Sequence, residues 1–453
     1  MSAVKPTAVS ALPDPPGPGL LEGWRLLRAS PPEALLQLAR DYGDVVRWRG
    51  FFAIYCINHP DLVRQILTQS WPRFTKNTVD YRVVGRTLGR GLVTNDGDDW
   101  ARQRRLMQPV FANRAIDKFD DVINAMTAQL ATKWAGHRAD ETVWLDRDMS
   151  RITFQIVSRT LFGADIDDAA DEMVEILHTV NQHPLKLSAL LTLWPWIPVP
   201  SNQRFKRIKQ RLNDIVDSLV ARHRASASDG RGDIVDRLLA ARDPESGQGM
   251  SNDQMRDEII TLLLAGHETS ATALSWTYFL LAQNRDCEAR LVSELDSVLG
   301  GRAAVSADLA RLPYLKQVVQ ESMRLYPPVW GIARRTSEAM ELGGYRIPAQ
   351  GYISISMYAL HRHPDYWTDP DRFDPERFAP NRGEQRHSYC YIPFSAGPRA
   401  CIGAGMAMLE IQLVLAQLLQ RFRVHPVPGT PIVPQAVVTL KQRFGMPVTI
   451  TAR

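Results

Sequence analysis

Cysteine is scarce in this chain. Cys56, Cys287, Cys390 and Cys401 are scattered through 453 residues, which excludes a disulfide framework and points to a reducing compartment. No CxxC pair and no closely spaced cysteine–histidine set accompanies any of them, so a structural zinc site is excluded as well. Cys390 with His361 and His363 is too loosely arranged to serve. The N-terminal stretch MSAVKPTAVSALPDPPGPGLLEGW has no apolar run long enough for a signal peptide or an anchor. Internal repeats and linkers are missing too. Charge of one sign is not in excess: a net +5 suits a solvated surface or an acidic partner protein, and no nucleic-acid partner is expected. The one membrane-like run, residues 259–282, carries His267 and Glu268 near its centre. Two such groups are costly in lipid, so a helix buried in a soluble, cytoplasmic protein is expected.

What is present is a globular composition, 45% hydrophobic and 23% charged. Ser30 and Glu33 have capping-box spacing ahead of a helix in SPPEALLQLARDYG, whose prolines fall in the first turn. DVVRWRG and FFAIYCIN read as two strands turning at Gly50. Helical periodicity runs from about Trp100 to Tyr326, broken at 193–203 and 229–233. Short strands and proline-rich loops follow, then an apolar helix from about Gly403 to Arg421. The fold class expected is mainly α with a small β part: a proline-rich tail over 1–24 and a single large helical domain with small sheets over 25–453. The aromatic loop LWPWIPVPSNQ (193–203) is either packed on its own core, or an access lid or membrane-touching patch.

Four patterns carry chemistry. The helix holding AGHETS is capped by Ser251 with Gln254, runs to about Ala282, and is about 48 Å long at 1.5 Å per residue. It is apolar nearly all round, yet it contains Gly266, Glu268 and Thr269. Glycine there costs about 1 kcal/mol relative to alanine. This suggests a helix locally opened beside an acid and a hydroxyl that pass protons inward, or else a satisfied polar cluster. In ESMR, Glu321 and Arg324 share a helix face, and Arg377 of PERF can join them in a charged triad. WARQR sets Trp100 and Arg104 one turn apart, able to grip a carboxylate together, with Arg334 and Arg399 as further candidates.

The fourth pattern is FSAGPRACIG. Cys401 is either an ordinary small core residue or a thiolate presented to something large and flat. It precedes a helix start, where the dipole and free amides lower a thiol pKa. Gly397 and Gly403 allow backbone to approach a planar group, and Phe394 can shield sulfur. The phrase fits a one-cysteine site of the haem-thiolate kind.

With these motifs in this order, the chain resembles a cytochrome P450 along essentially its whole length, and that resemblance implies the P450 fold. It implies haem b (iron protoporphyrin IX) with Cys401 as axial thiolate and metal ligand. Trp100, Arg104, Arg334 and Arg399 are then the propionate ligands, Arg335 being an alternative to Arg334, and Phe394 and Gly403 complete the cofactor-binding set. Glu268 and Thr269 are implied to manage proton delivery to oxygen. The implied reaction inserts one atom of O2 into an unactivated C–H or C=C bond. Relatives that bypass O2, as peroxygenase or isomerase, and a non-catalytic haem sensor are the alternatives. Arg399 two residues before Cys401 gives a eukaryote-like cysteine loop in what resembles a soluble bacterial member. The sequence ends at Arg453, so electrons are expected from a separate ferredoxin or flavodoxin with its NAD(P)H reductase, and a monomer is expected. By the same resemblance the pocket is lined by the 76–90 loop, the 180–200 region, Leu264, Ala265, Val329, Trp330 and the turn holding Ala436. Such a pocket suits a lipid, terpenoid, steroid or polyketide.

Overall fold

The computed structural model describes residues 11–26, 30–50, 52–111, 119–163, 173, 176, 200–225, 233–383 and 386–453. The 193–199 part of the aromatic loop, nearly all of the 180–200 pocket region and the break at 229–232 lie outside them. Helices dominate and the sheets are small, as expected. Backbone contacts group the chain into two compact units, Met1–Asp80 with Glu321–Cys401, and Tyr81–Gln320 with Ile402–Arg453. Each unit is built from two separate stretches, which is why no linker is visible in the sequence.

The first unit is organised by a five-stranded sheet ordered Val45–Arg49, Ala53–Ile57, Tyr352–Ile355, Ile332–Thr336, Phe74–Thr75. The first two strands form the antiparallel hairpin expected around Gly50, with Val45 opposite Ile57. Ala53–Ile57 then pairs parallel with Tyr352–Ile355. Tyr55, Ile57, Val63, Ile66, Ile353 and Ile355 form the core beneath. The helix Pro31–Tyr42 buries Ala34, Leu35 and Leu38, but Ser30 at its N-cap makes no side-chain bond. The capping box does not form. A cap oxygen accepts from the second or third helical N–H, and Pro32 has none at the second. The proline-rich segment is fastened to two sheets: Arg47 N–H, on the five-stranded sheet, donates to Pro16 O at 2.7 Å, and Arg346 N–H, on a separate hairpin of Met340–Leu342 with Tyr345–Ile347, donates to Pro13 O at 2.9 Å. A short helix, Leu20–Leu26, follows.

The second unit is organised by the helix Asn252–Gln283, whose cap Ser251 accepts the Gln254 N–H at 3.2 Å. It packs along Leu145–Phe162 and also against Ala404–Leu419, which in turn packs on Asp120–Ala135. The helix is continuous through Gly266, so the local opening expected there is not seen. The glycine answers to packing instead: a Cβ at 266 would lie 2.8 Å from Val157 Cγ2. The 76–90 stretch, expected as a loop, contains a helix, Val79–Leu88. A three-stranded sheet (Val143–Trp144, Pro447–Ala452, Phe422–Pro426) and a hairpin (Pro434–Ala436 with Leu440–Gln442) complete the unit. Among the described residues, no helix is long and apolar enough to cross a membrane.

Candidate functional site

In the first unit the cysteine loop is pinned at its ends. Cys401 N–H donates to Phe394 O at 2.9 Å, and Gly397–Pro398–Arg399 form a single 3-10 turn. Gly397 has φ +71°, and a Cβ there would lie 2.0 Å from Leu67 O, so both conformation and space demand glycine. Phe394 is half-buried and Cys401 is exposed. The loop runs directly into the helix Ala404–Leu419, with Gly403 at its N-cap. Arg399 lies over the Trp71 ring at 5.5 Å. Arg334 is buried on its strand and donates to Ala333 O at 2.8 Å, while its neighbour Arg335 is half-exposed. Strand alternation turns the two to opposite faces.

The charged triad is formed within this unit and is fully enclosed. Arg324 donates through Nε to Glu321 Oε2 at 2.6 Å and through Nη2 to Oε1 at 2.8 Å, both side chains being 0% exposed. Arg324 also donates to His361 O and Pro370 O, and Arg377 adds an ion pair to Glu321 at 3.3 Å. This is a scaffold network, not a surface pair. Val329 is half-buried against the sheet core. Trp330, also half-buried, packs against a neighbouring cluster that includes Leu26, Leu35, Val46 and Trp48.

In the second unit, Trp100 (buried) and Arg104 (half-exposed) stand one turn apart on Gly97–Met107, as the spacing predicts. On the long helix, Ala265 is exposed and Gly266 half-exposed between buried Leu264 and buried Glu268, and Thr269, next after Glu268, is half-exposed. Thr269 Oγ1 donates to Ala265 O at 2.6 Å. Glu268 Oε1 receives Thr439 Oγ1 at 3.0 Å and pairs with Lys441 Nζ at 2.6 Å. Both partners belong to the hairpin that also holds half-buried Ala436. Sequence reasoning missed these two, because nothing local connects positions 268 and 441.

It also missed Glu410, whose only signal is an acid inside the apolar run AGMAMLEIQLVLAQLL. Ser270 Oγ donates to Glu410 Oε2 at 2.9 Å, and burial outweighs that bond, pushing the carboxyl from 4.5 up to about 8. The native state therefore holds a proton that the unfolded chain releases above 4.5. Its contribution to stability is fully present below that pH and is lost as pH rises towards 8. His361, depressed by burial from 6.5 to about 3, loses its contribution as pH falls through that range and is flat above 6.5. His223, raised by its bond to Asp233, slopes the same way as Glu410. The diagnostic is therefore the difference between wild type and Glu410→Gln. From pH 6.5 to 8 the unfolding free energy of wild type should fall by roughly 1.5 kcal/mol more than that of the variant. Parallel urea-denaturation curves across that range would refute the neutral acid.

The sequence signature described as "Cytochrome P450" matches residues 13–445. Cyclooctatin synthase of Streptomyces melanosporofaciens is 38% identical over 433 residues, 94% of this chain and 92% of the relative. Cyclooctat-9-en-7-ol 5-monooxygenase of the same organism is 36% identical, over 86% of this chain and 84% of the relative. Pentalenene oxygenase of Streptomyces avermitilis is 31% identical, over 95% and 94%. A solved structure, the cytochrome P450DA heme domain, superposes with TM-score 0.86 over 98% of each chain at 24% identity, and so shares the fold. A pinned cysteine loop, an enclosed Glu-x-x-Arg pair and an acid–threonine helix thus lie within a family match that leaves out only the two ends, and the chain belongs to the cytochrome P450 family of monooxygenases.

Proposed function

We propose that the chain is a haem-thiolate monooxygenase that oxidises a cyclic terpenoid. The observation that carries the substrate class is its similarity to relatives named for cyclooctatin, cyclooctat-9-en-7-ol and pentalenene. The side chains on the page fit haem in their chemistry. One exposed thiol sits on a glycine loop, with open space where a Cβ at Gly403 would stand, and the indole and guanidinium donors of Trp100, Arg104, Arg334 and Arg399 suit two carboxylates. Bound there, the haem would supply activation of O2, one oxygen atom going to substrate and the other to water at the expense of two electrons and two protons.

The protein's own part is to hold and to feed. Cys401 would donate its thiolate to iron, with Phe394 covering the sulfur and Gly403 keeping the backbone clear. Glu268 and Thr269 would hold and move protons. Leu264, Ala265, Val329 and Ala436 carry no charge and would select an apolar molecule by burying it, at roughly 25 cal/mol per Å2. A ferredoxin or flavodoxin with its NAD(P)H reductase would supply electrons to a monomeric cytoplasmic enzyme.

Titrating the purified holoprotein with cyclic di- and sesquiterpene hydrocarbons and alcohols should shift the Soret band towards high spin. Val329→Ala should change which carbon is oxidised while haem content stays the same. Tighter binding by small polar compounds, with regioselectivity untouched in Val329→Ala, would remove the terpenoid reading. Thr269→Ala should still bind haem and substrate but divert most of its reducing equivalents to peroxide, since positioned acid–base groups typically contribute about 10²–10⁴-fold. Full coupling of NAD(P)H to product in that variant would exclude the relay.

A further inference from the structure

We propose that Lys441 is a positioning residue for proton delivery, holding Glu268 as a carboxylate and linking it to solvent from the Pro434–Gln442 hairpin. The inference rests on reading Glu268 and Thr269 as the proton-handling pair. It begins from cost. Glu268 is 5% exposed, and a buried carboxylate is unfavourable by several kcal/mol unless partnered. Its Oε1 takes two partners from one strand end, the Lys441 ammonium at 2.6 Å and the Thr439 hydroxyl at 3.0 Å. Between them, Leu440 O accepts the Trp276 indole N–H at 2.6 Å. The strand is thereby fixed to the same helix that carries Glu268, two turns further on. The clasp is built in rather than being a chance meeting of long side chains.

Exposure gives the clasp a direction. Thr439 is buried, whereas the Lys441 side chain is 39% exposed, so the pair runs from the interior to water. The other titratable neighbour on the helix, His267, is buried and hydrogen-bonds Leu263 O through Nδ1. Burial lowers its pKa, so it stays neutral and leaves Lys441 as the cation facing Glu268. Thr269 has already committed its own hydroxyl proton to Ala265 O. A proton passed along this helix therefore has to arrive from the Glu268 side.

The step balances as follows. A proton from bulk water adds to the Glu268 carboxylate and gives the neutral acid, while Lys441 remains an ammonium. The attraction between them disappears, and the ammonium turns outwards to water. Glu268 then passes that proton towards Thr269, returns to carboxylate and recaptures Lys441. The proton ends in the water molecule formed in the reaction.

The test uses holoprotein with a surrogate redox chain, comparing wild type, Lys441→Met, Lys441→Gln and Lys441→Arg. Neutral substitutions leave the buried Glu268 side chain without its cation, and an unpartnered buried carboxylate is costly. Infrared spectroscopy should therefore show a new protonated-carboxyl band in Lys441→Met and Lys441→Gln. The band should be absent from Lys441→Arg and abolished when Glu268→Gln is added. With the reduced-CO spectrum and the substrate-induced spin shift unchanged, peroxide release should rise about 10-fold, and the solvent deuterium isotope effect on product formation should grow. Lys441→Arg should restore both to wild-type values. Wild-type carboxyl bands and isotope effect in both neutral variants would overturn the role of Lys441 while leaving the monooxygenase reading standing. Full coupling in Glu268→Gln would overturn the relay itself, and this proposal with it.

Discussion

Cys401→Ala is expected to give a protein that loses haem, or that binds it without the red-shifted Soret band of a thiolate-ligated reduced CO complex. Cys390→Ala should keep both. The contrast follows from burial. The Cys390 thiol is 0% exposed, and burial pushes it up to about 12; buried Cys56 is raised to the same value. Ionising either at pH 7 would cost about 7 kcal/mol, at 1.36 kcal/mol per unit. Neither is a thiolate donor. Cys401 is exposed, on a loop whose end is tied to Phe394 O, just ahead of a 16-residue helix whose positive end favours an anion. The measurement is the reduced-CO difference spectrum together with haem content per protein. Retention of the thiolate band in Cys401→Ala would sink the assignment. Loss of the band in Cys390→Ala with the fold intact would move the ligand to the other cysteine.

The second large effect is structural. Glu321→Ala should destabilise the protein by about 3–5 kcal/mol, because it leaves the Arg324 guanidinium charged and enclosed without its counter-ion. Two direct hydrogen bonds to Arg324 go, and the Asp374 N–H loses the acceptor it meets at 2.9 Å. Arg324 keeps its carbonyl acceptors at His361 and Pro370 and its place over the Trp367 ring. These hold the side chain but do not neutralise it. Urea denaturation with haem content as a second reading checks the figure. Glu321→Gln, which retains the shape and can still accept from Asp374, should lose less. A Glu321→Ala protein with normal stability and full haem but no turnover would point to chemistry rather than scaffolding.

What could be read in advance was what the chain writes locally. The Ser251–Gln254 cap, the hairpin at Gly50, the Trp100–Arg104 turn and the loop from Phe394 to Gly403 are all short-range patterns, and each has the geometry its spacing implies. Failures came where a short pattern had competitors. Ser30 has capping-box spacing, but Pro32 removes a donor the cap would use. Gly266 in its motif suggests a helix opening, whereas Val157, more than a hundred residues earlier, is what leaves no room for a Cβ. The partners of the polar core were out of reach altogether. Thr439 meets Glu268 across 171 residues and Ser270 meets Glu410 across 140, and no period or motif encodes such a distance.

The parallel pairing of Ala53–Ile57 with Tyr352–Ile355 bears on how the chain is made. Cys56 stands opposite Ser354, so a nascent chain cannot close this sheet until some 300 further residues have left the ribosome. Closing a loop of that length costs about 5 kcal/mol of chain entropy before any contact repays it. Translation at about 5–20 residues per second leaves the early hairpin with open edges for tens of seconds. During that interval Val45, Tyr55 and Ile57 lack the part of their core that Ile353 and Ile355 supply, and unpaired edges of this kind are what invite aggregation. Slowing synthesis would lengthen the exposure without helping this sheet, whereas chaperones that shield the hairpin would act at the stage where it is vulnerable.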